Sequence, residues 1–196
     1  MVTRDAVVDA ALALAEAGHW EAVRLHEVAK RLGVPLDDIR QHFREKEEIV
    51  DAWFDRADQA MLRAAETADF AALTARARIE TLILAWLHAL ASHRRVTREM
   101  LVLRLEPGHL HHQVPLLLRV SRSVQWLREA AGRKQTFVAR ALEETLLTTL
   151  CLAVFTFWLN DDSPGQEDTR KRLASLLDGV GQLEQRIPLL RDDRLG

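Results

Sequence analysis

Between Leu25 and Phe43 two short stretches of helical periodicity lie almost back to back, Leu25 to Leu32 and Pro35 to Phe43, with only Gly33 and Val34 between them. Helices that close together must turn sharply. Gly33 permits the left-handed backbone such a turn demands, and Pro35 suits the first turn of a helix, where its missing N–H would be unpaired anyway. Val28, Ala29, Leu32, Val34, Ile39 and Phe43 supply apolar side chains for a small shared core, with Ala29 small where the two helices would meet. This pattern predicts a helix-turn-helix. Upstream, Ala6, Val7, Ala10, Ala11 and Leu14 recur at helical spacing, with Thr3 and Asp5 as cap candidates and Gly18 as a stop.

The rest of the chain repeats the helical period. Spacing and punctuation predict further helices from Glu45 or Lys46 to about Ala68, and over Leu73–Ser92, Arg94–Leu105, Pro115–Ala131, Lys134–Leu159 and Gln166–Gln185. Pro107-Gly108, Gly132 and the stretch Asn160 to Gly165 supply the breaks, and Ser163 can cap a helix that has Pro164 in its first position. Ile187 to Gly196 is expected to be a loose tail. With eight Gly and five Pro in 196 residues and no Tyr, a strand-rich fold with many tight turns is disfavoured. The expected fold is all-α, about nine helices, with a three-helix head at residues 1–47 and a helical bundle body at 48–196.

Further classes fall away on single features. The lone Cys151 excludes an intrachain disulfide framework, which makes the cytoplasm the expected location. Asp5, Asp9 and Glu16 interrupt the Ala-rich start, so no signal peptide is expected. The longest apolar run, Leu146 to Leu159, has 14 residues with three threonines, short of the roughly 20 needed to span a bilayer. No phosphate loop, G-x-S-x-G elbow, dinucleotide fingerprint or paired-carboxylate motif occurs, so neither catalytic residues nor a cofactor are expected and the chain reads as a non-enzyme. His109, His111 and His112 form an H-x-H-H cluster read as a solvated loop, with no metal expected. Net charge is −2, distributed unevenly: residues 1–56 carry −4 and residues 57–160 carry +4. Arg94, Arg95, Arg98 and Arg104 form a basic run that can pair with Glu99 and Glu106, contact an anionic head group or stand solvated, the last being the expectation.

The order of helix, glycine, short helix, L-G-V turn, short helix ending in His42-Phe43, and then Arg44-Glu45-Lys46-Glu47-Glu48-Ile49 resembles the DNA-binding head of the TetR family of bacterial regulators. Ala10-Ala11, Gly18, Val28-Ala29, Gly33-Val34, Ile39 and Lys46-Glu47 carry the same likeness. The resemblance implies a homodimer on a palindromic double-stranded DNA operator, paired through the last two long helices, and a body that binds an apolar small-molecule or lipid effector. Effector entry would shift the fourth helix and change the separation of the two recognition helices. By the same resemblance Pro35, Leu36, Asp37, Asp38, Arg40 and Gln41 face the groove, His42 and Lys46 sit near phosphates, and Arg24 stands where a threonine usually begins the second helix. Arg40 has the chemistry for guanine or a phosphate, and Gln41 for adenine. Asp37 and Asp38 replace a small residue and a threonine of the family pattern, and Arg40 replaces a tyrosine.

In the body, Trp86, Leu101, Leu105, Leu117, Val120, Val124, Leu147, Cys151 and Phe155 are the candidate lining of an apolar pocket, although periodicity does not separate cavity lining from close-packed core. Trp53, Trp126 and Trp158 are candidate wall or core, and Cys151 is expected to be an inert buried thiol. Finally, Trp158 to Thr169, WLNDDSPGQEDT, with Gly18-His19-Trp20, Ile79-Glu80-Thr81, Trp126-Leu127 and Ala131-Gly132, is similar to the coenzyme Q biosynthesis accessory family. That resemblance implies the alternative of a lipid- or isoprenoid-binding accessory protein with a TetR-like fold that does not bind DNA.

Overall fold

A computed structural model of the chain describes residues 2–105 and 110–186, with the side chains of 2–104 and 119–186. Its helices are α1 (Arg4–Ala17), α2 (Leu25–Leu32), α3 (Leu36–His42), α4 (Lys46–Ala64), α5 (Ala75–Leu90), α6 (Arg94–Leu105), α7 (Leu110–Ala131), α8 (Phe137–Trp158) and α9 (Glu167–Arg186). Single 3-10 turns at Trp20–Ala22, Phe70–Ala72, Ala91–His93 and Pro164–Gln166 punctuate them, and no strand occurs among the described residues. The all-α expectation holds. Several boundaries move by a few residues, α4 ending at Ala64 and α8 starting at Phe137, and the largest shift is in α7, which begins at Leu110, not Pro115, so the proline sits in its second turn and forgoes a single i→i−4 bond rather than starting the helix. His111 and His112 are therefore helical and not in a loop; His109, and the side chains of the other two, lie outside the described residues. The tail expected from Ile187 onward lies outside them as well.

The chain divides into two compact units, Met1–Ala57 with Ala89–Val114, and Asp58–His88 with Pro115–Gly196. In the first, Thr3 caps α1 by accepting the Ala6 amide at 3.1 Å. Gly33 ends α2 at φ 67°, and the amides of Gly33 and Val34 return to the carbonyls of Lys30 and Ala29, closing the helix end. Val28, Ala29, Ile39 and Phe43 are buried together, while Leu32 and Val34 are only half-buried. α1 adds Val7, Val8, Ala11, Leu12 and Ala15 to that core, and α4 adds Ile49, Val50 and Trp53. Arg56 of α4 pairs with Asp5 and Asp9 of α1 at 3.0 and 2.5 Å.

In the second unit α8 and α9 meet at a corner built from WLNDDSPGQEDT. Asp161, buried, accepts the Ser163 amide at 2.9 Å, the Thr169 amide at 2.9 Å and the Thr169 hydroxyl at 2.5 Å. Ser163 in turn accepts the Asp168 amide at 3.1 Å, and the Trp158 indole donates to Gln166 Oε1 at 2.9 Å. That last bond holds Gln166 in a left-handed conformation, φ 58°, which a non-glycine residue adopts at a cost. Burial pushes the Asp161 carboxyl up, but the hydrogen bonds from Ser163 and Thr169 outweigh it and hold it far below the usual carboxylate range. A depressed folded-state pKa contributes stability that is present above the unfolded value of about 3.9 and fades as the pH falls through the folded one. Asp161→Ala is thus expected to cost about 3 kcal/mol at neutral pH. The variant should also lose less stability than the parent between about pH 5 and 2, as checked by urea unfolding across that window.

Candidate functional site

α3 is anchored by its apolar side. Ile39 and Phe43 have no exposed surface, whereas Pro35, Leu36, Asp37, Arg40 and Gln41 are exposed. Pro35 itself precedes the helix, which starts one residue later than its sequence suggests. The exposed face has internal order. Arg40 Nε donates to Asp37 Oδ1 at 3.1 Å and Gln41 Nε2 donates to Asp37 Oδ2 at 3.3 Å, so one carboxylate holds both residues with base-reading chemistry. The Arg40 and Gln41 hydrogen bonds keep the Asp37 carboxyl below its ordinary range, hence ionised at neutral pH. Asp38 and His42 are half-buried.

The candidate DNA contacts Arg24, His42 and Lys46 are engaged locally. Arg24 donates to the carbonyls of Glu21 at 2.6 Å and Val23 at 3.3 Å. Lys46 donates to the carbonyls of Trp20 and Glu21, both at 3.1 Å, and lies over the Trp20 ring; burial pushes its ammonium below the ordinary lysine range. His42 Nε2 donates to the Val2 carbonyl at 3.0 Å. Arg24 thereby closes the connection between α1 and α2, Lys46 ties the start of α4 to that connection, and His42 ties the end of α3 to the residues before α1. Sequence reasoning overlooked Lys30, Arg31 and Arg44, which are exposed and whose side chains have no partner among the described residues. Cations in the last turn of α2 and just after α3 are the signal that marks them.

α6 grips this unit with polar side chains. Arg95 donates to the Ala15, Glu16 and Gly18 carbonyls at 2.9, 2.9 and 3.1 Å, satisfying the C-terminal end of α1. One helical turn on, Glu99 accepts the Trp20 amide at 2.7 Å and pairs with Arg95 at 2.5 Å. Arg104, buried, donates to Asp51 and to the Glu47 carbonyl at 3.1 and 2.9 Å, and the Trp53 indole donates to Thr97 at 2.9 Å. The basic run is therefore not simply solvated; Arg98 alone of Arg95, Arg98 and Arg104 stands exposed without a partner among the described residues. A cleft of about 390 Å³ opens here, lined by the Arg95–Glu99 pair with His19, Glu21, Arg98, Val102 and Leu103.

No family model and no curated protein matches the chain. A solved TetR transcriptional regulator from Nitrosomonas europaea is 50% identical, over 91% of this chain and 98% of that one, at a TM-score of 0.82. The chain belongs to the TetR family of transcriptional regulators. A TetR transcriptional regulator from a Rhodococcus species, 22% identical over 89% of this chain and 95% of its own, TM-score 0.63, shares the fold. So does a putative TetR-family regulator from a Shewanella species, 15% identical over 92% and 98%, TM-score 0.53.

In this TetR-family protein the candidate pocket residues fall in both units. Leu101, in the first, is buried, and the side chain of Leu105 lies outside the described residues, as does that of Leu117 in the second. Val124 and Leu147 are buried in the second unit; Trp86, Val120, Cys151 and Phe155 are half-buried there. Trp86, Phe155 and Trp158 form a ring series, edge-on at 5.1 Å and then stacked at 5.8 Å. Beside it Asp58 of α4 accepts the Trp86 indole at 2.8 Å, the Ser123 hydroxyl at 2.9 Å and Arg119 at 3.1 Å. Trp126 departs from expectation: at 55% exposed it is neither core nor wall, because its position on α7 faces away from the packed side that buries Val124 and Leu127. Burial pushes the Cys151 thiol up to about 12, which leaves it neutral and a poor nucleophile. No described helix is long and apolar enough to cross a membrane.

Proposed function

We propose that this TetR-family protein is a repressor that holds a palindromic operator as a homodimer through the exposed face of α3, and releases it when an apolar small molecule or lipid enters the body. The observation that carries the reading is α3 itself: a seven-residue helix fixed through Ile39 and Phe43, with Pro35, Leu36, Arg40 and Gln41 turned outward after a left-handed glycine. The second helix of such a motif is the one that enters the major groove. Lys30, Arg31 and Arg44, exposed and without a side-chain partner among the described residues, provide cations flanking it for phosphates. The half-buried aromatics around Trp86 and Phe155 support an apolar effector, and Asp58, on the helix that runs on from the head, is the natural point for effector entry to be felt.

The test is selection of fragmented genomic DNA on purified protein at low and physiological salt, followed by sequencing of the retained fragments. One palindromic site is expected to be enriched, and Arg40→Ala is expected to bind it about 100-fold more weakly, since each protomer loses its guanine-reading fork. A second reading, the lipid- or isoprenoid-binding accessory protein of ubiquinone biosynthesis, is favoured by the donors of Arg24, His42 and Lys46 being spent on backbone carbonyls. Enrichment of nothing at either salt, with or without added lipid extract, would decide for it.

A further inference from the structure

We propose that Asp37 is a specificity-determining positioning residue, which presets Arg40 and Gln41 so that α3 reads a half-site containing a C·G pair. The inference rests on the DNA-reading function above. Its ground is the sharing of one carboxylate by two donors, Arg40 Nε on Oδ1 at 3.1 Å and Gln41 Nε2 on Oδ2 at 3.3 Å. Asp37 takes Arg40 through Nε, which leaves the two terminal amino groups for an outside acceptor. As an exposed pair three residues apart it adds little to the stability of α3. Its effect falls on its two partners, whose freedom it restricts before any DNA arrives, and on the field that DNA meets.

That field is selective. Asp37, Asp38 and Arg40 leave the helix with more negative than positive charge, so resting it against phosphates alone is unfavourable. The repulsion is relieved where the groove offers a hydrogen-bond donor to the carboxylate beside acceptors for the guanidinium. A C·G pair offers that set, with the cytosine N4 amino group next to guanine O6 and N7. Carboxylate beside guanidinium on α3 is the complement of that edge. Asp37 thereby weakens binding to arbitrary sequence more than binding to the operator, which is how a repulsive element creates discrimination.

The experiment compares the parent protein, Asp37→Asn and Asp37→Ala in parallel selections from a randomised duplex pool, with binding to a non-specific duplex measured at several salt concentrations. Both variants are expected to keep the parent's thermal midpoint, because Asp37 is exposed. Each is expected to bind non-specific duplex about 3- to 10-fold more tightly. Each should also lose about 10-fold of the preference for C·G at one half-site position, Asp37→Ala more than Asp37→Asn. A parent site with no C·G pair whose preference the variants relax, or variants with the parent's full specificity profile, would overturn the assignment and leave the regulator reading standing. If the parent selects no sequence at all, the DNA reading fails and this inference with it.

Discussion

Glu143→Leu is expected to lower the thermal midpoint by about 10 °C. Glu143 is buried between two guanidinium groups: Arg128 donates through Nε at 2.8 Å and NH2 lies at 2.7 Å, while Arg133 Nε donates to the other oxygen. Arg128 retains 2% of its surface and the Arg133 side chain 9%, so neither can return to water without opening the packing around Glu143. Removing one partner of a buried pair leaves an uncompensated charge, which costs about 3–5 kcal/mol. At this chain length each kcal/mol moves the midpoint by roughly 2–4 °C. Glu144, at 3.2 Å from Arg128, and Glu184, at 2.6 Å from Arg133, offset part of the loss. The triple replacement Arg128→Met, Arg133→Met and Glu143→Leu should recover most of it, because an apolar set of similar volume removes the desolvation penalty together with the attraction. Circular dichroism melts of the two variants check both statements. A single variant within about 2 °C of the parent would mean that Glu144 and Glu184 carry the cluster.

That cluster also marks where reading the sequence stops. Arg128, Arg133, Glu143 and Glu184 are separated by as many as 51 positions between bonded partners and carry no periodicity of their own, so only the fold brings them together. The head is legible for the opposite reason. Gly33, Val28, Ile39 and Phe43 lie within 16 positions, and each is required by the same local turn. The apolar rows of the body announce helices without saying which side chains stay half-buried: Leu147 and Cys151 are one turn apart on α8, yet the first is fully buried and the second only half-buried.

The site shows the same division. The spacing of α3 indicates which residues point outward, but not that Asp37 binds two of them at once, because an exposed aspartate looks the same in sequence whether solvated or shared. Arg95 and Glu99 form an ordinary i,i+4 pair on paper; their bonds to the end of α1, some 80 positions away, turn the pair into a brace. The WLNDDSPGQEDT stretch reads as a mark of lipid-binding relatives, whereas here Asp161, Ser163, Gln166 and Thr169 are occupied in closing the α8–α9 corner. A motif that closes a helix corner suits any function that needs the corner, so its presence does not choose between the two proposed readings.

Leu142→Glu with Leu152→Glu is expected to give a monomer that binds the operator at least about 100-fold more weakly than the parent. Val138, Leu142, Thr145, Thr149, Leu152 and Thr156 recur along α8 at alternating steps of four and three, and all are exposed. Leu142 and Leu152 leave 40% of their surface to solvent, in a row with Val138 at 63%. The threonines do not interrupt the stripe. Thr145 and Thr149 each donate their hydroxyl to the carbonyl one turn back at 2.8 Å, which turns a methyl group outward in its place. An exposed apolar row of this length is what a self-complementary two-fold contact requires. Two carboxylates per protomer in that row would bring like charges into the contact and desolvate them there. Since both positions are exposed, the variant should fold with the parent's helicity, and the loss should appear in assembly. A dimer binds its second half-site as an intramolecular event, and losing that linkage costs about 100- to 10,000-fold in affinity. Light scattering gives the mass and a titration with the selected operator gives the affinity. A monomer that still holds the operator at parental affinity, or a variant that remains dimeric, would place the two-fold contact elsewhere than on α8.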